Sequence, residues 1–139
     1  MTDPGAERAN AFFGPLAPGR HGAVFDSVRA DEVVGHIEVT EPLIAGTGFL
    51  FAPAVISLAD TLCAIGCGEN IDESQSFTTV ELKVNFLASA RVGERVVGVA
   101  TPLHVGRRTH VWDVTVTNHT TERTMALFRC TQMVLDARR

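Results

Sequence analysis

The segment FLFAPAVISLADTLCAIGC, Phe49 to Cys67, is the most apolar part of the chain, and from Ala54 onward Asp60 is its one charged residue. Pro53 suits the first turn of a helix, because its missing N–H would be unpaired there anyway. The pattern predicts a helix running to about Cys67 and stopped by Gly68 as a left-handed cap. At 100° per residue, Leu58, Leu62 and Ile65 share one side, while Ile56, Cys63 and Cys67 lie opposite with Asp60. A helix apolar nearly all round is buried by protein on most sides. As a membrane span the run reads as too short and too polar.

Four strand-like runs follow: Phe77 to Leu87, Arg95 to His104, Thr109 to Asn118 and Thr124 to Leu135. The joints ASARVGE, VGRR and HTTER are short enough for antiparallel neighbours. The strands are long for their class, and long strands of this kind curl around something. Upstream, Gly22 to Leu43 reads as two short strands with a turn near Ala30-Asp31, and Ile44 to Gly48 as a loop. Residues 1–21 form an N-terminal segment with a short helix over Glu7 to Phe13, ended by GPLAPG; residues 22–139 form one domain. The expected class is α+β, a long curved antiparallel sheet wrapped around one central apolar helix. That is the hotdog arrangement, with a ferredoxin-like α+β domain as the alternative.

Composition narrows the function. The chain has 139 residues, enough for one sizeable core. A net charge of −4 argues against nucleic acid or an anionic membrane as the main partner. The start has neither a basic region nor a long apolar run, so it does not read as a signal peptide. Cys63, Cys67 and Cys130 are an odd number with no disulfide framework, and read as buried small hydrophobes in a reducing cytoplasm. The five His are scattered, and no metal site is expected.

Four pieces, GTGFLFAPAVISLADT, FTTVELKVNFLASARVGE, HVGRRTHVWDVTV and TMALFRCTQ, together resemble the hotdog acyl-CoA thioesterases of the phenylacetyl-CoA and hydroxybenzoyl-CoA type. The resemblance spans roughly Gly22 to Leu135. Asp60 falls on the family's acidic helix position. Phe51 stands where a His is expected, Ala52-Pro53 where two glycines are, and Ala45 where an Asn is. The resemblance implies hydrolysis of an acyl- or aroyl-CoA to free acid and CoA, with no cofactor. It gives Asp60 the role of general base or nucleophile, beside a structural alternative as a polar contact between subunits. Low-dielectric surroundings make a carboxylate more basic, which favours the chemical role.

By the same resemblance the Ala52 amide polarises the thioester carbonyl at the helix start. Thr79 orients Asp60 or its water, with Thr78 as the fallback; an ordinary strand threonine is the competing reading. Gly106, Arg107 and Arg108 match a phosphate-binding turn, and guanidinium groups suit the phosphates of CoA; a solvated hairpin tip is the alternative. Arg129 is either a CoA contact or paired across the sheet. Phe51, within GFLF, belongs to a greasy substrate pocket. Trp112 reads as core or interface.

Geometry adds a partner. Ala52 and Asp60 are eight residues apart, about 12 Å along a helix. A base must act within about 3 Å of its target. Two antiparallel helices from two subunits meet that condition, so a homodimer or homotetramer with shared sites is expected. A non-hydrolytic acyl-CoA-binding protein is the rival function. A dehydratase would want an Asp–His pair near the central helix.

Overall fold

The computed structural model describes residues 2–137. Its elements are α1 (Pro4–Phe13), α2 (Ala17–Arg20), β1 (Ala23–Arg29), β2 (Glu32–Glu38), a 3-10 turn (Glu41–Leu43), α3 (Ala52–Glu69), β3 (Ser76–Phe86), β4 (Arg95–Val105), β5 (Thr109–Asn118) and β6 (Arg123–Leu135). The strands form one antiparallel sheet in the order β1-β2-β4-β5-β6-β3. The sheet curls around α3, which is the hotdog arrangement expected.

What seats α3 is a pair of glycines. Gly35 and Gly98 stand opposite one another across β2 and β4. Leu58 and Leu62 fill the space left there, so closely that a Cβ at Gly98 would lie 2.8 Å from Leu62. Both leucines are fully buried. Further along the helix Gly66 lies flat on the Trp112 ring. Trp112 is therefore core, one of the two readings its sequence allowed.

The helix departs from expectation in three ways. It runs on to Glu69, and its cap Asn70 has φ −112°, so Gly68 is no left-handed stop. Asn70 closes the end instead, its side chain donating to the Gly66 carbonyl at 2.8 Å. At 18 residues α3 is long and apolar enough, by length and composition, to cross a membrane; half of it is buried against the sheet. Finally, Cys63 and Cys67 face the sheet and are fully buried. The outward stripe is Pro53, Ser57, Asp60, Ala64 and Gly68. Burial, not the Leu58–Ile65 stripe alone, sets the helix's rotation: the sheet takes a wide arc that buries even Thr61 and leaves Ile56 and Ile65 half-buried at the margins of the outward stripe.

α1 begins at Pro4, earlier than expected, because Asp3 caps it: the Asp3 carboxylate accepts from Ala6 N–H at 3.0 Å. The helix guards the β1 edge. Asn10 both donates to the Phe25 carbonyl and accepts from the Phe25 N–H, each at 2.8 Å. GPLAPG does not simply end α1; it carries the one-turn α2.

Candidate active site

Asp60 lies on the outward stripe of α3, half-buried, with Thr79 beside it: the Thr79 hydroxyl donates to Asp60 Oδ1 at 2.9 Å. This contact depends on a bulge. In plain alternation Thr79 would share a face with Glu81, Lys83 and Asn85. The register shifts between Thr79 and Glu81, so Val80 is extra. Thr79 then stands opposite Gln132, and Leu82 opposite Cys130, both on the face toward α3. A bulge re-aims a side chain in this way. Thr78 points to the other face and is exposed.

The start of α3 is open. Phe51 is its N-cap and offers no side-chain cap. Pro53 has no N–H, and among the described residues the Ala52 N–H has no hydrogen-bond partner. Unpaired amides and the positive end of the helix dipole suit an anion or a developing oxyanion. Phe51 is 44% exposed, so its ring is available to a ligand rather than buried as core.

The three arginines singled out from the sequence fall into two environments. Arg107 and Arg108 are exposed at the β4–β5 turn with Gly106, whose N–H donates to the Thr109 carbonyl. The Arg108 carbonyl accepts from Val134 N–H, which ties this turn to the end of β6 and thus to the C-terminal end of α3. Within one chain it lies about 27 Å of helix away from Ala52. Arg129 is committed elsewhere. It holds Asp113 through two hydrogen bonds of 2.6 and 2.9 Å, on the sheet face opposite α3. Of its two readings, the cross-sheet pair is the one present, and Asp113 also raises its pKa.

Sequence reasoning missed a cleft beside the helix start. It holds about 510 Å³, and its lining includes Phe49, Leu87, Ser89, Arg91 and Arg123 together with the carboxylate of Glu94. Arg91 sits over the Phe49 ring at 4.7 Å. The signal was in the sequence, as one arginine in the loop after β3 and one at the start of β6, but nothing in their spacing joins them.

An Asp–His pair does exist. His36 Nδ1 lies 2.7 Å from Asp26 Oδ2. It sits on β1 and β2, on the face away from α3, since Gly35 beside it is what meets Leu58. The thiols are poor nucleophiles here. Contact with Cys130 and burial push the Cys63 pKa up, and burial takes Cys67 to about 11.

Residues 47–125 match the family model described as the thioesterase superfamily. The chain is 31% identical over 113 residues to a 1,4-dihydroxy-2-naphthoyl-CoA hydrolase of Listeria monocytogenes, covering 81% of this chain and 90% of that protein. It superposes on a thioesterase of Pseudomonas aeruginosa with a TM-score of 0.86 at 26% identity, covering 94% of each chain. With a thioesterase of Staphylococcus aureus the TM-score is 0.79 at 30% identity, over 84% of this chain and 96% of the other.

Proposed function

The chain belongs to the thioesterase superfamily, and from that premise we propose that it hydrolyses an acyl- or aroyl-CoA to the free acid and CoA, with Asp60 activating the attack. The observation that carries this reading is the Thr79–Asp60 contact. It occupies Oδ1 of the carboxylate and leaves Oδ2 to take a proton from water or to attack the thioester itself. The Ala52 N–H of one subunit holds the carbonyl oxygen, and Asp60 of the partner subunit faces the carbonyl carbon. Attack breaks the C–S bond and the thiolate of CoA leaves. The relative from Listeria monocytogenes, named for an aromatic CoA thioester, supports an aroyl group.

Two observations support the shared site. The stripe Pro53, Ser57, Asp60, Ala64 and Gly68 carries small or short side chains between the half-buried Ile56 and Ile65, which permits a second helix to approach. The β3 edge carries Val80, Leu82 and Phe86 at 40–50% exposure, whereas the β1 edge is covered by α1. Long apolar edges are normally paired or covered. Antiparallel helices in a homodimer also carry Arg107 and Arg108 of the partner subunit to the Arg91–Arg123 side of the pocket, so that both subunits meet the phosphates of CoA. Phe51 and Gly106 line the same path. The buried free thiols fit a cytoplasmic protein.

The test is thiol release from a panel of benzoyl-, phenylacetyl-, naphthoyl- and octanoyl-CoA. On the best substrate Asp60→Asn is expected to lower kcat at least about 100-fold while binding persists. An undiminished rate in that variant removes Asp60 from the mechanism. Tight binding without turnover by the wild type would favour the binding-protein reading, to which Phe51 and Ala45, in place of the family His and Asn, lend weight.

A further inference from the structure

On the face toward α3, β5 and β6 are lined by apolar side chains, with three exceptions: Asn118 at the far end of β5, which donates to the Ser89 carbonyl, and the pair His110 and Gln132. His110 and Gln132 stand directly opposite each other and are 1% and 0% exposed. Their neighbours on that face include Trp112, Cys130 and Val134. Gln132 is also directly opposite Thr79 on its other side, and Thr79 donates to Asp60. Asn118 is satisfied at its own end of the strand, whereas His110 and Gln132 stand together. The pair extends a single row, His110–Gln132–Thr79–Asp60, across three strands to the helix.

Three polar atoms around this row have no partner among the described residues: His110 Nδ1, Gln132 Oε1 and Trp112 Nε1. The Gln132 amide nitrogen has only a 3.8 Å contact with Cys130 Sγ. Left unpaired, each such atom costs about 1–3 kcal/mol. A valine or leucine at positions 110 and 132 would remove most of that cost and continue the apolar lining. The chemistry of the three atoms is complementary to one water. Burial favours the neutral imidazole of His110, and in the tautomer that carries its proton on Nε2 the Nδ1 atom accepts. Gln132 Oε1 accepts, and Trp112 Nε1–H donates. One water donating twice and accepting once satisfies all three, and buried waters make about three hydrogen bonds.

We propose that a buried water joins His110, Gln132 and Trp112, and that Gln132, so fixed, donates to the Thr79 hydroxyl and holds the Thr79–Asp60 pair in its reactive orientation. His110 and Gln132 are thus positioning residues; they touch no substrate. The proposal rests on Asp60 acting in hydrolysis as described above.

The experiment has a kinetic arm and a spectroscopic arm. In the kinetic arm, Gln132→Met keeps the side chain's length and removes its polarity. It is expected to lower kcat about tenfold with KM within about twofold, and Thr79→Ala/Gln132→Met is expected to be no slower than Thr79→Ala alone, because Gln132 acts through Thr79. His110→Leu should match Gln132→Met, and His110→Gln, which keeps a polar end to the row, should retain kcat within about threefold; this pair decides the kinetic arm if Gln132→Met does not fold. In the spectroscopic arm, the imidazole nitrogen resonances of His110 are followed by NMR in the wild type and in Asp60→Asn. A connected row moves them. Unmoved His110 resonances, kcat within about twofold of wild type in the apolar variants, or additive losses in the double variant each overturn the proposal. If the wild type hydrolyses no CoA ester, it is the thioesterase reading that fails, and the spectroscopic arm alone then decides the row: movement supports it and silence overturns it.

Discussion

His110 shows how one buried side chain makes stability depend on pH. Burial is the first cause lowering its pKa from the ordinary 6.5, and nearby His104 adds to it, while the Gly106 backbone opposes. Below pH 6.5 the unfolded chain takes up a proton at this site that the folded chain does not. The unfolded state then binds more protons, so stability rises with pH through this window and is lost as pH falls below about 6.5. Urea titrations between pH 7.5 and 5.5 are expected to show a falling midpoint, and His110→Gln to flatten that fall. An equal slope in the variant would move the effect to another histidine. Arg107 and Arg108 offer a second residue-scale test. Changing both to Ala is expected to raise KM for acyl-CoA more than for a short thioester without the nucleotide, since charge-assisted contacts contribute about 1.5–3 kcal/mol each. Equal changes for the two substrates would leave the turn a solvated hairpin tip.

At the scale of elements, two contacts hold helices to the sheet by quite different means. α3 is held by close packing. A Cβ at Gly66 would lie 2.4–2.7 Å from three atoms of the Trp112 ring, which is itself fully buried and cannot swing away. Gly66→Ala is therefore expected to destabilise the fold by about 1–3 kcal/mol despite alanine's better helix propensity. Thermal unfolding checks this, and an unchanged midpoint would mean that the ring yields. α1 is held by polar contacts to a strand edge, where Asn10 supplies both the donor and the acceptor that β1 lacks at Phe25. Asn10→Leu exposes that edge again, and a gain in self-association at unchanged secondary structure is the sign to look for by light scattering.

For the whole molecule, the unguarded β3 edge and the small-residue stripe of α3 lie on the same side of the sheet's end. In the proposed shared site both are covered by one neighbour, a second copy related by a twofold axis. Light scattering is expected to give a dimer or a larger even assembly. Ala64→Glu puts a bulky charge in the middle of the stripe, next to Asp60, and is expected to weaken assembly and hydrolysis together. A stable monomer with full activity would refute the shared site.

The strands, the central helix and the order in which they come were legible from sequence, because periodicity and turn residues are local properties of the chain. β5 was read to the residue, Thr109 to Asn118. Asp60 stood out because one charge in an apolar helix needs no partner to be noticed. Thr79 was placed by resemblance alone; simple alternation would have turned it away with Glu81, and the Val80 bulge is a property of the β3–β6 pairing. The rotation of α3, with Cys63 and Cys67 inward, followed from how wide an arc the curled sheet covers. The cleft at Arg91 and Arg123 and the row from His110 to Asp60 join residues 32 and 50 positions apart. Their parts are visible in the sequence, but contact between them exists only after β3, β5 and β6 have paired. Local pattern follows from each segment's own side chains, whereas the site follows from register, and register is set by what the strands meet.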